Sequence, residues 1–275
     1  MQKFKLEVLL HIMGIGSASG LIQKSNILFI ISDNSSFLYQ YKIKENQLLT
    51  IPLLENAQGN IAKKDKLDLE AITEKDGLLY LFGSGSTEKR NRCFTYNLQT
   101  EQVETQDLQP LYEQLKKTAA ITSEDLNIEG AIWYNNSWLL FQRGNGEKAK
   151  NGIFIINEKS NKQEFHPIAL PKIQDIEATF TDAILVKDQV YFLAAVENTI
   201  STYDDGDILG SFIGRINPST MTVEYSEFIS PTHKFEGLTF YNKNEEEISF
   251  LLCEDNDTEI VETTIYTLTL TNKLD

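Results

Sequence analysis

The chain has 275 residues, of which 40 are acidic and 25 are basic, giving a formal net charge of −15. Such a chain lacks the clustered Lys and Arg residues that binding to nucleic acid or to an anionic membrane requires. A hydrophobic content of 41 % indicates a globular protein, and two cysteines are too few for a disulfide framework.

The N-terminal segment predicts a strand rather than a leader. Leu6, Val8 and Leu10 alternate with Glu7 and His11, and the apolar run that follows is short and lacks a small-residue cleavage site. No run is long enough to span a bilayer. We therefore expect a cytoplasmic protein, or a periplasmic or secreted one if a leader has been removed.

A short motif recurs along the chain and is the strongest signal in the sequence. In four copies a Glu is followed by a small residue and then by an apolar, strand-like segment, whereas the first copy has Ser in place of Glu. The copies are roughly 50 to 60 residues apart, which is the range of a structural repeat. The central positions of the motif, here called pivots, are Ser19, Glu70, Glu129, Glu177 and Glu236.

Each pivot is followed by a polar turn, a second apolar run and then a third, as in residues 27–31 and 37–41 of the first copy. These runs are rich in β-branched and aromatic residues and are separated by turn residues, which indicates antiparallel strands. Strand–turn–strand units repeated at this period predict an all-β protein of the β-propeller type.

Five pivots predict five blades in a single domain spanning residues 1–275, and a six-bladed ring is the alternative because the two longest repeats could contain extra strands. The N-terminal strand around residues 6–10 precedes the first pivot. We therefore expect it to pair as the outer strand of the last blade, beside residues 263–270, and so to close the ring.

One helix is predicted between the second and third blades. Leu108, Leu111 and Leu115 recur at helical spacing, with Asp107 as a candidate N-cap and Pro110 in the first turn. We expect this helix to serve packing rather than function.

The first strand of each propeller blade lines the central channel, so the four pivot glutamates should converge near the axis. Clustered carboxylates need a cation, protons or hydrogen-bond donors, and their hard oxygens favour Ca²⁺ or Mg²⁺. Two interpretations remain open: a Ca²⁺ site in the channel, or glutamates that bind backbone amides and fix the blade junctions. The candidate metal ligands are Glu70, Glu129, Glu177 and Glu236.

Polar loops follow the second strands and should form a ring on one face of the propeller. Two of their basic residues, Arg90 and Arg143, have the forked geometry that binds a carboxylate or a phosphate. Ordinary solvated turns are the alternative interpretation. The candidate ligand-binding residues in or near these loops are Asp33, Ser84, Arg90, Arg143 and Glu254.

The motifs at residues 17–20, 68–71, 83–86 with Arg90, 127–130 and 142–145 together resemble those of an uncharacterised bacterial propeller family of the Bacteroidetes type. That family is itself distantly similar to the SdiA-regulated and the phytase-like, or esterase-like, propellers. The resemblance implies calcium in the channel at the matching glutamates, although Ser19 departs from the pattern. It implies no particular reaction.

These observations predict a monomeric propeller that binds a small molecule or a protein through an acidic channel, with Ca²⁺ as the candidate cofactor, and a polar pocket on one face. The alternative function is a metal-dependent phosphoesterase or esterase-like hydrolase acting on a small anionic substrate, with the cation as Lewis acid. The sequence offers no activated nucleophile or general base that would identify an enzyme.

Overall fold

The computed structural model describes residues 4–145, 150–199, 206–255 and 261–271. These residues form five four-stranded antiparallel sheets and one short two-stranded ribbon. The sheets are the five blades of a ring, so the predicted all-β, five-bladed propeller is confirmed and the six-bladed alternative is wrong.

Four of the blades are meanders whose strands pair in chain order. After the N-terminal strand β1 (Phe4–Met13), the first blade contains β2 (Ala18–Lys24), β3 (Ile27–Ser32), β4 (Phe37–Lys42) and β5 (Gln47–Pro52). The second blade contains β6 (Leu69–Lys75), β7 (Leu78–Gly83), β8 (Arg92–Asn97) and β9 (Val103–Asp107), and α1 (Gln109–Ala119) follows it.

The third blade contains β10 (Ile128–Tyr134), β11 (Ser137–Gln142), β12 (Gly152–Asn157) and β13 (Gln163–Pro167), and is followed by the ribbon of β14 (Lys172–Ile173) and β15 (Ile176–Glu177). The fourth contains β16 (Thr179–Val186), β17 (Gln189–Asn198), β18 (Asp207–Asn217) and β19 (Thr222–Ser230). The fifth contains β20 (Phe235–Lys243), β21 (Glu247–Glu254) and β22 (Glu262–Thr271), together with β1.

The ring is closed by the N-terminal strand, as predicted. β1 pairs antiparallel with β22 from Phe4 opposite Leu270 to Met13 opposite Glu262, and it is the outermost strand of the fifth blade. The two ends of the chain thus share one sheet, which joins the first blade to the last.

The predicted helix is confirmed as α1. Asp107 accepts the N–H of Gln109 at 2.9 Å, although the N-cap position itself is Leu108, and Pro110 lies in the first turn. The fully buried Tyr112 donates its hydroxyl to the Gly83 carbonyl at 2.7 Å, which holds the helix against the second blade. In the part of the chain described, no helix is long and apolar enough to cross a membrane.

The five first strands, β2, β6, β10, β16 and β20, contact one another in this order around the axis. Each has a β-bulge near its start, where one residue is skipped in the pairing with the second strand. A bulge redirects the side chain of the skipped residue away from the regular sheet. The skipped residues are Ser19, Glu70, Glu129, Thr181 and Glu236.

The fourth pivot is therefore Thr181, and the prediction that Glu177 is the fourth axial residue is wrong. Glu177 lies on β15, before the fourth blade begins, and its carboxylate accepts the N–H of Leu170 at 2.9 Å. The ribbon places a Glu-Ala pair four residues ahead of the bulge, and the true fourth copy, Thr181-Asp182, has neither the Glu nor the small residue of the motif.

The two hydroxyl pivots fix blade junctions. Ser19 donates its hydroxyl to the carbonyl of Leu69, and Thr181 donates its hydroxyl to the carbonyl of Phe235 at 2.7 Å. In both cases the acceptor is the residue before the next pivot around the ring. The structural interpretation of the motif thus holds for the pivots that lack a charge.

Close packing of the first strands explains the small residue after the pivot. A Cβ on Gly237 would lie 2.5 Å from the Cys253 sulfur and 2.7 Å from Leu21, so a larger side chain cannot fit without movement. In the fourth blade this position is Asp182, whose buried carboxylate accepts the N–H groups of Ala183 and Leu238, each at 2.7 Å. Asp182 therefore joins the fourth blade to the fifth.

We expect Asp182→Ala to destabilise the propeller by ~1–3 kcal/mol, because it leaves the buried N–H of Leu238 without an acceptor. Urea unfolding measures this loss. Asp182→Asn keeps an acceptor oxygen and should cost less, and Asp188→Ala, at an exposed turn of the same blade, should be neutral. Equal stabilities of Asp182→Ala and Asp188→Ala would contradict the junction role.

Candidate functional site

One mouth of the central channel contains a polar cavity of about 250 Å³, here called the axial cavity. Its wall is built from pivots, from the residues two positions before them, and from the loops that follow the second strands. The residues two before the pivots stand immediately before the first strands, and the pivots lie at the starts of these strands, so both sets reach the same mouth. The lining residues are Ser17, Asp33, Asn34, Ile61, Lys63, Lys66, Asp68, Glu70, Arg90, Asn127, Glu129, Arg143, Lys234, Glu236 and Asp255.

The structure brings together six of the nine residues singled out from the sequence. The three that lie elsewhere have other partners. Ser84 donates its hydroxyl to Asp68 and so supports the wall from behind. Glu254 binds His233 at 2.6 Å and the Tyr266 hydroxyl, while Glu177 is on the ribbon. The six that line the cavity are Asp33, Glu70, Arg90, Glu129, Arg143 and Glu236.

Arg143 is the centre of one ion-pair network. Its Nη1 donates to Glu129 at 3.1 Å, its Nη2 to Glu197 at 2.7 Å, and its Nε to the Thr179 hydroxyl at 3.3 Å. Asn127 adds a second donor to Glu129 at 2.7 Å. All three nitrogens of this buried guanidinium are thus engaged by acceptors of the chain.

Lys234 continues this network around the axis. Its ammonium group lies 2.8 Å from Glu197 and 2.7 Å from Glu236. Although burial alone would raise the pKa of Glu197, Arg143 and Lys234 lower it to about 2. Three acidic side chains, Glu129, Glu197 and Glu236, therefore share two cations.

The other side of the cavity contains a second network. Lys66 binds Asp33 and lies 3.1 Å from Asp68, whose other carboxylate oxygen accepts Arg90 Nη1 at 2.7 Å. Arg90 also donates to the Ser86 hydroxyl at 2.7 Å. Two acidic and two basic groups are matched here, so this side is electrically balanced.

Glu70 lies between the two networks and forms an ion pair with neither, although its charge interacts with that of Lys66. It lines the cavity and is only 9 % exposed, yet its carboxylate has no hydrogen bond or ion pair with any residue in the described ranges. Burial raises the pKa of Glu70 well above its ordinary value, and the neighbouring carboxylates of Glu129 and Asp68 raise it further. Lys66, which Asp33 and Asp68 already engage, is therefore only a partial match for the charge of Glu70.

The cavity as a whole is short of positive charge. Six acidic and five basic side chains line it, and the buried Glu197 behind Arg143 adds a seventh acidic group. Burial raises the pKa of both Glu129 and Glu236 to about 7, although Arg143 and Lys234 oppose the rise. Protons thus supply part of the missing charge near neutral pH.

Several residues of the site were not selected from the sequence. Asn127 and Lys234 stand two positions before a pivot, as Asp68 does, so the repeat itself contains the signal that could have identified them. Lys66 lies in the connection between the first two blades, and Glu197 lies near the end of β17. Nothing in the local sequence distinguishes these two residues from surface charges.

The donor atoms for a hard cation are present beside Glu70. Carboxylate oxygens of Asp33, Asp68 and Glu70 lie within 4.8 Å of one another, and Ca²⁺ prefers such ligands. Lys66 already binds Asp33 and Asp68. These residues therefore fit Ca²⁺ in ligand type, and they fit it in charge only if Lys66 moves away.

A family model described as "Family of unknown function (DUF6929)" matches residues 14–270. This confirms the expected membership of an uncharacterised family. Among curated proteins, no sequence matches the chain.

Solved structures with the same fold cover nearly the whole chain at low identity. Glutaminyl cyclase of Myxococcus xanthus has a TM-score of 0.56 at 12 % identity, covering 97 % of both chains. The Malassezia sympodialis allergen Mala s 1 has a TM-score of 0.59 at 6 % identity, covering 98 % of this chain and 96 % of the allergen. The PQQ-bound aldose sugar dehydrogenase of Streptomyces coelicolor has a TM-score of 0.56 at 10 % identity, covering 98 % and 99 %. At these identities the likeness establishes the fold alone.

The raised pKa values make stability depend on pH in a definite direction. The folded state keeps protons on Glu129 and Glu236 that the unfolded chain releases above about pH 4.5, so these groups stabilise the fold at low pH, and this contribution is lost as pH rises through about 7. We expect the melting temperature, measured in chelated buffer, to fall between about pH 5 and about pH 8.

Glu70→Gln should flatten this profile, because it replaces a buried carboxylate that has no ion pair of its own by a neutral group of the same shape. We expect a gain of about 2–4 °C in melting temperature at the alkaline end, corresponding to ~1 kcal/mol in a chain of this size. A variant with the wild-type slope would show that Glu70 is not a source of the pH dependence.

Proposed function

We propose that this chain, which belongs to the family of unknown function DUF6929, binds a small, positively charged polar ligand in the axial cavity. The observation that supports this proposal is Glu70, a buried carboxylate that lines the cavity and forms no hydrogen bond or ion pair with any described residue. A buried charge without a partner is costly, so a ligand that supplies the opposite charge gains binding free energy there.

A cation is favoured over an anion because the basic groups are already in use. All three guanidinium nitrogens of Arg143 already donate hydrogen bonds within the chain, and Lys234 lies between two carboxylates. An anionic ligand would have to break these ion pairs. A cationic ligand would instead compensate the excess of acidic side chains in the cavity.

The form of the cavity favours a small molecule over a protein partner. A concave space of about 250 Å³ admits a group with few heavy atoms, and the lining contains one apolar side chain within the described residues, that of Ile61. A polar organic ammonium group satisfies both constraints, since it can donate to Glu70 and to the neighbouring carboxylate of Glu129.

Calcium is the second candidate ligand for the axial cavity, because it too is a cation that carboxylates can bind. The oxygens of Asp33, Asp68 and Glu70 support it, and the motif resemblance to phytase-like propellers points the same way. Bound at this place, Ca²⁺ would supply two positive charges, and Lys66 would have to move from Asp33 and Asp68.

The metal-dependent hydrolase receives less support. A hydrolase of this kind would need Arg90 and Arg143 to bind its anionic substrate. Both side chains instead bind carboxylates of the chain, those of Asp68, Glu129 and Glu197. Two of the proteins with similar structures are named as enzymes, but a shared fold does not imply a shared reaction. We expect a phosphatase and esterase panel to show no turnover that depends on Ca²⁺.

Isothermal titration calorimetry tests the proposal with three probes: ethanolamine, putrescine and calcium chloride. We expect at least one probe to bind, and Glu70→Gln to weaken it about tenfold to a hundredfold, since a hydrogen bond to a charged group is worth ~1.5–3 kcal/mol. Binding of an amine without calcium, or of calcium without the amines, decides between the two cations.

Glu74→Gln is the matched control, because Glu74 lies on the same strand, β6, at the opposite mouth of the channel. It should leave the affinity unchanged. Equal binding by wild type and Glu70→Gln, or no binding of any of the three probes, would overturn the proposal.

A further inference from the structure

The opposite mouth of the channel contains a second cavity, of about 370 Å³, here called the distal cavity. It is lined by residues near the ends of all five first strands, whereas the axial cavity lies at their starts. Its volume is within the range of about 300–1,000 Å³ that small-molecule sites occupy. The distal cavity is therefore large enough to enclose a ligand of moderate size.

The lining of the distal cavity is chemically unlike that of the axial cavity. Ile22, Ile72, Ile132, Ile184 and Leu185 form much of its wall. With two aromatic side chains they make seven of its twelve lining residues apolar, against one of fifteen in the axial cavity, and small-molecule sites are typically lined by apolar side chains with a few polar groups.

Two aromatic side chains stand at the edge of this apolar wall. Trp133 is half-buried, and Phe240 is 38 % exposed, among the most exposed large apolar side chains described. Trp133 is held in place from behind, because Lys75 lies 3.6 Å from its ring centre and Trp138 packs against it at 5.1 Å. A wall that is already fixed costs little entropy when a ligand binds.

The polar groups of the distal cavity are electrically balanced. Lys24 and Glu74 form an ion pair with each other, so neither calls for a charged ligand. The amide oxygen of Gln23 is buried and accepts no hydrogen bond from the described residues, which leaves an acceptor beside the apolar wall.

We propose that the distal cavity is a second binding site, which takes a small, neutral, compact apolar molecule carrying a hydroxyl group. The isoleucine wall and the two aromatic rings would enclose the apolar body, and the hydroxyl would face the Gln23 amide. A small molecule suits this place better than a protein segment, because strands from all five blades surround the cavity. This site is independent of the cation site proposed at the other mouth.

The two tryptophans of the chain, Trp133 and Trp138, both report on this mouth. The test uses 1-adamantanol, a neutral and compact alcohol that does not absorb where tryptophan is excited, and follows tryptophan emission. We expect a saturable change in emission. The change should persist in Trp138→Phe, which leaves the reporter in the cavity wall.

Two variants should abolish or weaken binding. Ile184→Glu places a charge in the apolar wall and should weaken binding at least about tenfold. Phe240→Ala removes an exposed side chain, so it should fold normally and still weaken binding by about threefold or more. Circular dichroism establishes that each variant is folded.

Val8→Glu and Glu70→Gln are the controls, since Val8 is an exposed apolar residue of β1 and Glu70 lies at the other mouth. Both should bind 1-adamantanol as wild type does. A change in emission that does not saturate, or that survives both Ile184→Glu and Phe240→Ala, would overturn the proposal. Failure here would leave the cation titrations at the axial cavity unaffected, and the reverse also holds.

Discussion

The shortage of positive charge on the propeller axis is the constraint that organises the site. Three acidic side chains share Arg143 and Lys234, Asp33 and Asp68 are paired with Lys66 and Arg90, and Glu70 has no ion pair of its own. In a buried place this imbalance is relieved by protons, by a ligand cation or by both. The raised pKa values and the proposed cation binding are thus two consequences of one arrangement.

The same five strands produce two mouths of opposite chemistry. At the start of each strand a bulge turns a polar pivot out of the sheet, and five copies of this device put charged groups or hydroxyls on the axis. Near the strand ends four of the twelve residues that line the cavity are isoleucines, which are typical strand residues. One repeat therefore supplies a polar cavity and an apolar one, and a ligand at either mouth meets side chains from several blades.

Much of the fold could be predicted from the sequence because the repeat imposes it. The blade number, the closing strand β1 and the helix α1 all follow from periodic patterns that local chemistry determines. The fourth pivot could not be found in this way. Thr181 lies at the bulge of the fourth blade but is not a Glu. Glu177 has the sequence of the motif but lies on the ribbon, which the spacing of the repeats does not predict. Backbone geometry, rather than side-chain identity, defines a pivot.

The candidate site was predicted in position and only partly in composition. Loops and pivots do meet at one mouth, but pairing across blades decides what each group does there, as Glu197 shows by binding Arg143 and Lys234. Contacts of this kind join residues far apart in the chain, so they cannot be predicted from a local sequence pattern. Compartment, oligomeric state and kinship with the SdiA-regulated propellers stay predictions.

A crystal structure grown with the cation that binds best in calorimetry tests the central claim most directly. The account predicts density for that cation on the Glu70 carboxylate, with Ca²⁺–oxygen distances of about 2.3–2.6 Å or ammonium–oxygen distances of about 2.7–2.9 Å. An axial cavity that holds only water, with Glu70 bound to Lys66 or another basic residue of the chain, would contradict it.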